Sequence, residues 1–201
     1  MTYVILGPTG IGKTSLAVQI ADYFDCPIIS CDAYQIYKDM NIGTGKIKEN
    51  EIGFERHFLI NKISPEEQYS VMQYQKDFRD IYTTLSKENE HIIVCGGTGL
   101  YIKAALYDYK FYTYNDDVSD LEKLSNEELK LMLEKIDPNS LKTIHINNRK
   151  RLIQAISIGR SCAKTKSENI SEQTHKLLFK NIRFIFINPP REQVYESINC
   201  R

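Results

Sequence analysis

The chain has 201 residues, and its 26 basic and 26 acidic side chains cancel, so no global field draws it to nucleic acid and an RNA partner would need a local basic patch. That length suits one domain, or one domain with a small insertion, and can hide roughly 70% of the unfolded surface. Five cysteines (Cys26, Cys31, Cys95, Cys162, Cys200) are odd in number and form no CxxC pair, which argues against a disulfide framework or zinc knuckle and for reduced thiols in a cytoplasmic protein.

In chain order, "TYVIL" (2–6) reads as a short buried strand, and 12–24 as a helix with Leu16, Ile20 and Phe24 recurring on one side. "CPIISCD" (26–32) reads as a second strand ending on Asp32, and "HFLINKI" (57–63) as a third. Residues 69–89 form a long helical pattern with Ser70 as N-cap, followed by a strand at 90–97 and a helix at 98–106. The stretch 107–145 is irregular apart from a helix near 126–135, 147–160 is a basic helix, and 160–176 is polar and expected to be mobile. "IRFIFIN" (182–188) is the last strand, and Pro190 opens a helix over 190–201. Strands alternating with helices predict an α/β fold: a P-loop-type parallel sheet flanked by helices, with a smaller helical insertion. The expected division is 1–106 with 147–201 as the core and 107–146 as a partial insertion. The first motif begins within seven residues of Met1, which leaves no room for a targeting peptide, and no apolar run approaches the roughly 18 residues of a membrane span. The chain stops at Arg201 inside a helical pattern, so the natural protein is expected to continue.

"ILGPTGIGKTSLA" (5–17) holds the spacing Gly7-x4-Gly12-Lys13-Thr14. Glycines let backbone N–H groups turn inward as an anion nest, and the helix behind them adds its positive end. Gly7, Pro8, Thr9, Gly10, Ile11, Gly12, Lys13 and Thr14 are the expected diphosphate or nucleotide cradle, with Lys13 as a point charge and the Thr14 hydroxyl as a ligand for Mg²⁺. A nucleotide triphosphatase also needs an aspartate closing a later strand; here "HIIVC" runs into Gly96-Gly97-Thr98-Gly99, and the acid nearest a strand end is Asp32. Phosphate is therefore expected as a leaving group or anchor.

"GPTGIGKTSLA" is followed by "ISCDAYQIYKDMNIGTGK" (29–46), "CGGTGLYIKAAL" (95–106), "NNRKRLIQAISI" (147–158) and "NPPREQVYESINCR" (188–201). In this order the motifs resemble the tRNA dimethylallyltransferases, across most of the chain. The resemblance implies transfer of a dimethylallyl group from dimethylallyl diphosphate to the exocyclic amine of an adenosine beside the tRNA anticodon. It implies Asp32 as the base taking the amine proton and Mg²⁺ at Thr14 helping the diphosphate to leave, while Thr9, inside the loop, is the candidate to hydrogen-bond the donor phosphates or the amine. Asp32, Ala33, Tyr34, Gln35, Thr98, Lys150, Arg151 and Gln154 are the implied tRNA contacts. A longer inserted domain and C-terminal RNA-gripping helices beyond Arg201 are part of the family pattern. So is a second arginine in the basic helix, where this chain has Gln154.

Each residue also has a plainer reading. Asp32 or Thr98 can cap a helix, Thr9 can be a surface hydroxyl, Gln35 a capping-box partner, and Tyr34 a core side chain rather than a stacking platform. Arg149, Lys150, Arg151 and Arg160 can be a solvated basic face. Lys46 is either a phosphate contact or an exposed lysine, and His57 and His145 are taken as structural. Three competing functions stay open: an adenylate isopentenyltransferase acting on free AMP, ADP or ATP, a small-molecule P-loop kinase, and a non-catalytic nucleotide-binding module. The protein is expected to be a cytoplasmic monomer with no membrane partner.

Overall fold

The structure, a computed structural model, describes residues 1–51, 53–112 and 117–200. Its elements are β1 (Thr2–Leu6), α1 (Lys13–Phe24), β2 (Ile28–Ser30), β3 (His57–Phe58), α2 (Val71–Glu88), β4 (Ile92–Gly96), α3 (Gly99–Leu106), α4 (Asn126–Ile136), α5 (Arg149–Ser161), α6 (Lys166–Ser171), β5 (Ile182–Phe186) and α7 (Arg191–Asn199). Among the described residues the five strands make one sheet in the order β3-β2-β4-β1-β5, with every pair parallel.

β2 and β4 are buried at every position because both sheet faces are covered there and side chains alternate between them, whereas the edge strand β5 leaves Phe184 and Phe186 exposed. Val4, Ile29, Ile92 and Val94 meet Tyr74, Phe78 and Tyr82 of α2 and Tyr101, Ile102 and Leu106 of α3. Ile5, Ile28, Ile93 and Cys95 meet Ala17 and Ala21 of α1. This is the expected α/β fold. The buried stripe of α1 differs from expectation: Leu16, Ile20 and Phe24 are only partly buried, whereas the fully buried Ala17 and Ala21 let the helix lie close to the sheet. Ser70 caps α2 as expected, in a reciprocal capping box with Gln73.

Two expected segments change. The third strand shrinks to two residues because Leu59 and Asn61 adopt left-handed backbone (φ 61° and 47°); a single parallel bridge, Tyr37 to Ile63, is what remains of its far end. The stretch 160–176 carries α6, nucleated by a capping box between Thr165 and Glu168. The last helix ends at Asn199, and Arg201 lies outside the described residues.

The chain forms two compact units, Met1–Asp108 with His175–Arg201, and Tyr109–Thr174. The expected division at 107–146 therefore extends to 174. The reason is packing: Leu152, Ala155 and Ile156 of α5 bury against Leu121, Leu129 and Leu133 rather than against the sheet. In the sheet unit, the strands leading out and back are paired. Tyr107 bridges Leu177 antiparallel, the Asp108 N–H donates to the Lys176 carbonyl (2.8 Å), and the Leu178 N–H donates to the Leu106 carbonyl (2.9 Å). Among the described residues no helix is long and apolar enough to cross a membrane.

Candidate functional site

The parallel register sets Leu6 level with Gly96 and Phe186, and Ser30 level with Cys95. Gly7, Cys31 and Gly97 therefore leave the sheet from one edge, the carboxyl edge where open α/β sheets bind ligands. After β1 the chain turns through Gly10 (φ 86°) and Gly12 (φ 80°), left-handed conformations open to glycine. Gly12 sits at the N-cap of α1 without a side-chain cap bond, so the first amides of the helix are left to an anion. Thr9, Gly10, Gly12, Lys13 and Thr14 line a cleft of about 230 Å³. Gly7, Pro8 and Ile11 do not line it: the Pro8 carbonyl accepts from Lys13 Nζ (2.5 Å), and Ile11 packs against Gly7.

Asp32 lies in the same cleft. Its position is set by the end of β2, two residues before it. The Cys31 N–H donates to the Cys95 carbonyl (2.7 Å), and the Thr98 N–H to the Cys31 carbonyl (3.3 Å). The Tyr74 hydroxyl donates to the Ser30 carbonyl (3.0 Å) and lies 2.8 Å from Cys31 Sγ. The strand ends approach so closely that a Cβ at Gly96 would stand 2.2 Å from the Cys31 carbonyl oxygen. Asp32 caps a turn and not a helix, its Oδ1 accepting from the Tyr34 N–H at 2.9 Å. Thr98 precedes α3 without a side-chain cap bond; its hydroxyl instead accepts from the Ala33 N–H at 3.2 Å, joining the two loops.

A second cleft, of about 500 Å³, adjoins the first. Its lining includes Tyr34, Met40 and Ile42, with 63%, 38% and 94% of their surfaces exposed, so Tyr34 is not a core side chain. Thr9, Asp32 and Thr44 line both clefts. Gln35 lines the first one, accepting from Ser30 Oγ and donating to the Thr44 carbonyl, both at 3.4 Å, with no capping box.

Lys46 is not the exposed lysine of the plainer reading. It is 5% accessible and donates from Nζ to the Tyr37 carbonyl (2.5 Å) and Asn61 Oδ1 (2.6 Å), and burial lowers its pKa. It therefore braces the loop that carries Thr44. His57, expected to be structural, does pair through Nδ1 with the Gly53 carbonyl (2.7 Å), and it also lines the first cleft. Burial lowers its pKa, against the smaller opposing effect of that hydrogen bond, so it is neutral near pH 7. Thr44 was passed over inside "GTGK", where the lysine drew attention; His57 has no sequence signal beyond its place at a strand start. Burial lifts the Cys31 and Cys95 thiols to about 12, which makes them unreactive.

In the helical unit the four basic residues of α5 divide. Arg149 is spent internally, on Asn126 Oδ1 (3.1 Å) and the Leu121 and Glu122 carbonyls (3.2 and 2.7 Å). Arg160 pairs with Asp120 (2.6 Å). Lys150 and Arg151 are exposed and, with Gln154 and Glu122, line a cleft of about 890 Å³. The two expected site groups thus fall in different units: Asp32, Ala33, Tyr34, Gln35 and Thr98 with the cradle, and Lys150, Arg151 and Gln154 with the helical unit.

An interior parallel strand running through a glycine turn into a helix defines an α/β protein whose first turn has the P-loop spacing. Residues 35–201 match the family model described as IPP transferase. The chain is 36% identical to a tRNA dimethylallyltransferase of Bacillus cytotoxicus, covering 98% of this chain and 65% of that one. It is 37% identical to the enzyme of the same name from Anoxybacillus flavithermus, covering 98% and 64%. Among solved structures it is similar to a tRNA delta(2)-isopentenylpyrophosphate transferase of Staphylococcus epidermidis (33% identity, TM-score 0.63, covering 99% of this chain and 67% of that one). It is also similar to a eukaryotic dimethylallyltransferase acting on tRNA (25% identity, TM-score 0.85, covering 99% and 51%). The chain belongs to the IPP transferase family. It spans just under two thirds of the length of the curated relatives it matches.

Proposed function

We propose that the protein transfers a dimethylallyl group from dimethylallyl diphosphate to the exocyclic amine of an adenosine beside the anticodon of tRNA. One observation carries this reading: Thr9 and Asp32 stand at the junction of two clefts, one floored by the phosphate nest and the other faced with exposed Tyr34, Met40 and Ile42. A donor held by its diphosphate in the first cleft would present its allylic carbon at that junction, and an adenine entering by the second would present its amine there. The bond between the allylic carbon and the diphosphate oxygen breaks and its electron pair leaves with the diphosphate. The amine lone pair forms the new C–N bond, and the amine proton passes to the Asp32 carboxylate. Lys13 and the α1 amides stabilise the departing charge. The family names of the relatives and the absence of a carboxylate at the end of β4, where Gly96 lies against the Cys31 backbone, agree with phosphate as leaving group.

The Thr14 hydroxyl in the first cleft fits a Mg²⁺ ion that takes its remaining ligands from diphosphate and water, as this ion prefers. When bound it would supply further positive charge at the leaving group. Tyr34 would stack on the base and Gln35 read its edge, with Lys150, Arg151 and Gln154 holding RNA phosphates. The protein would act as a monomer in the cytoplasm.

The test is mass spectrometry of anticodon-loop nucleosides after the full-length protein is incubated with dimethylallyl diphosphate, Mg²⁺ and either tRNA or AMP. Prenylated adenosine in the tRNA arm is expected. Product confined to AMP, or none in either arm, overturns the reading.

A further inference from the structure

Within the helical unit, one half-buried ammonium group has been left without a counter-ion. Lys166, on α6, donates from Nζ to Gln154 Oε1 at 3.2 Å and makes no ion pair among the described residues. The nearby carboxylate, Asp137, is 2% accessible and already satisfied. Its Oδ1 accepts from the Ser140 N–H (3.2 Å) and Ser167 Oγ (2.5 Å), and its Oδ2 from Ser140 Oγ (2.6 Å) and the Ser167 N–H (2.9 Å). Burial pushes the Asp137 pKa up, but these hydrogen bonds outweigh it and keep the group ionised. Burial lowers the Lys166 pKa, Arg151 lowers it further, and Asp137 offsets only part of this.

An ammonium partly out of water, beside a guanidinium and bonded to a neutral amide, is penalised on each count. One bound anion would relieve all three, accepting from the remaining Nζ protons and from Arg151, whose guanidinium is exposed. Arg149 and Arg160 cannot serve, being tied to carbonyls and to Asp120.

We infer that Lys166 joins Arg151 and Gln154 in a phosphate-binding site on the helical unit, and that its ligand is a backbone phosphate of the acceptor RNA. The site rests on the RNA reading given above and adds to it a residue outside the basic run of α5. Free diphosphate has the same chemistry, so the experiment must separate the two sources.

Binding of an anticodon stem–loop RNA to the full-length protein is measured by fluorescence anisotropy at several salt concentrations. Lys166→Met should weaken binding and reduce the slope of log K against log salt by about 0.7–0.9, one phosphate contact, whereas Lys166→Arg should keep the slope. In the wild-type protein, labelling of Lys166 by an amine-reactive reagent should be blocked by the RNA and not by inorganic pyrophosphate. The labelling needs no variant to fold. Unchanged slope in a folded Lys166→Met protein, or unchanged labelling with RNA bound, overturns this inference alone. Protection by pyrophosphate and not by RNA assigns the site to free diphosphate and overturns it as well. A wild-type protein that binds no RNA overturns both this inference and the acceptor reading beneath it.

Discussion

Replacing Asp32 by asparagine separates its two jobs. The carboxylate accepts the Tyr34 N–H at 2.9 Å through Oδ1, and asparagine keeps an acceptor of the same shape there. Asp32→Asn therefore preserves the turn and removes the proton acceptor. A positioned general base contributes about 10²–10⁴ in rate, or about 2.7–5.4 kcal/mol of barrier at about 1.36 kcal/mol per decade. Asp32→Ala removes the base and the turn bond together. The freed N–H sits in an exposed turn and regains water, so the further cost is a net hydrogen bond, about 0.5–1.5 kcal/mol, or about 1–6 °C in Tm. Single-turnover transfer from labelled donor reads the rate, calorimetry reads donor binding, and a thermal melt reads stability. Both variants should lose transfer to a similar extent and keep donor binding, while only the alanine variant melts lower. A rate for Asp32→Asn within tenfold of wild type would refute the assignment of Asp32 as the base.

Gly96→Ala would set a Cβ 2.2 Å from the Cys31 carbonyl oxygen, so the strand ends must part; we expect a cost of about 1–3 kcal/mol, a Tm lower by about 2–12 °C, and a loss of transfer measured alongside the melt. Thr98→Val keeps the shape but removes the acceptor for the Ala33 N–H, so transfer should fall while the affinity for pyrophosphate, by calorimetry, stays near wild type. His57 has a folded pKa below its ordinary 6.5, so the unfolded chain binds the proton more readily. Wild type should therefore lose stability as pH falls from 6.5 towards that lower value, and its advantage over His57→Gln in urea unfolding should shrink as pH falls below about 6.5.

The cradle was readable because its chemistry is local: glycine spacing, the strand before and the helix after lie in one continuous stretch. The sheet was equally plain, since β1, β2 and β4 are short and mostly apolar and alternate with helical patterns. Asp32 could be picked out by its place near a strand end, but not the turn it caps, because that depends on Thr98 and the Ala33 amide meeting across β2 and β4. The burial of Lys46 is hidden for the same reason: a lysine in a loop gives no hint that Asn61, fifteen residues on, will accept from it. The basic helix was seen as one patch, yet its arginines differ in kind. Arg149 and Arg160 find partners on α4 and in the segment before it, and no periodicity within α5 reveals that. Nothing within α5 says which core it joins, because Leu152, Ala155 and Ile156 would suit the sheet as well as the helical unit. The segment 160–176 is mostly polar and has no apolar stripe to mark a helix, so α6 and its Thr165–Glu168 capping box emerge only in the structure.

The paired neck at Tyr107 and Leu177 has a consequence for how such a chain can vary. Outgoing and returning backbone are already hydrogen-bonded to each other, so the sheet meets the same two ends whatever lies between them. An insertion within the intervening cassette leaves these two hydrogen-bonded ends unchanged. Lineages could therefore enlarge, trim or exchange that cassette while the sheet went on folding as before.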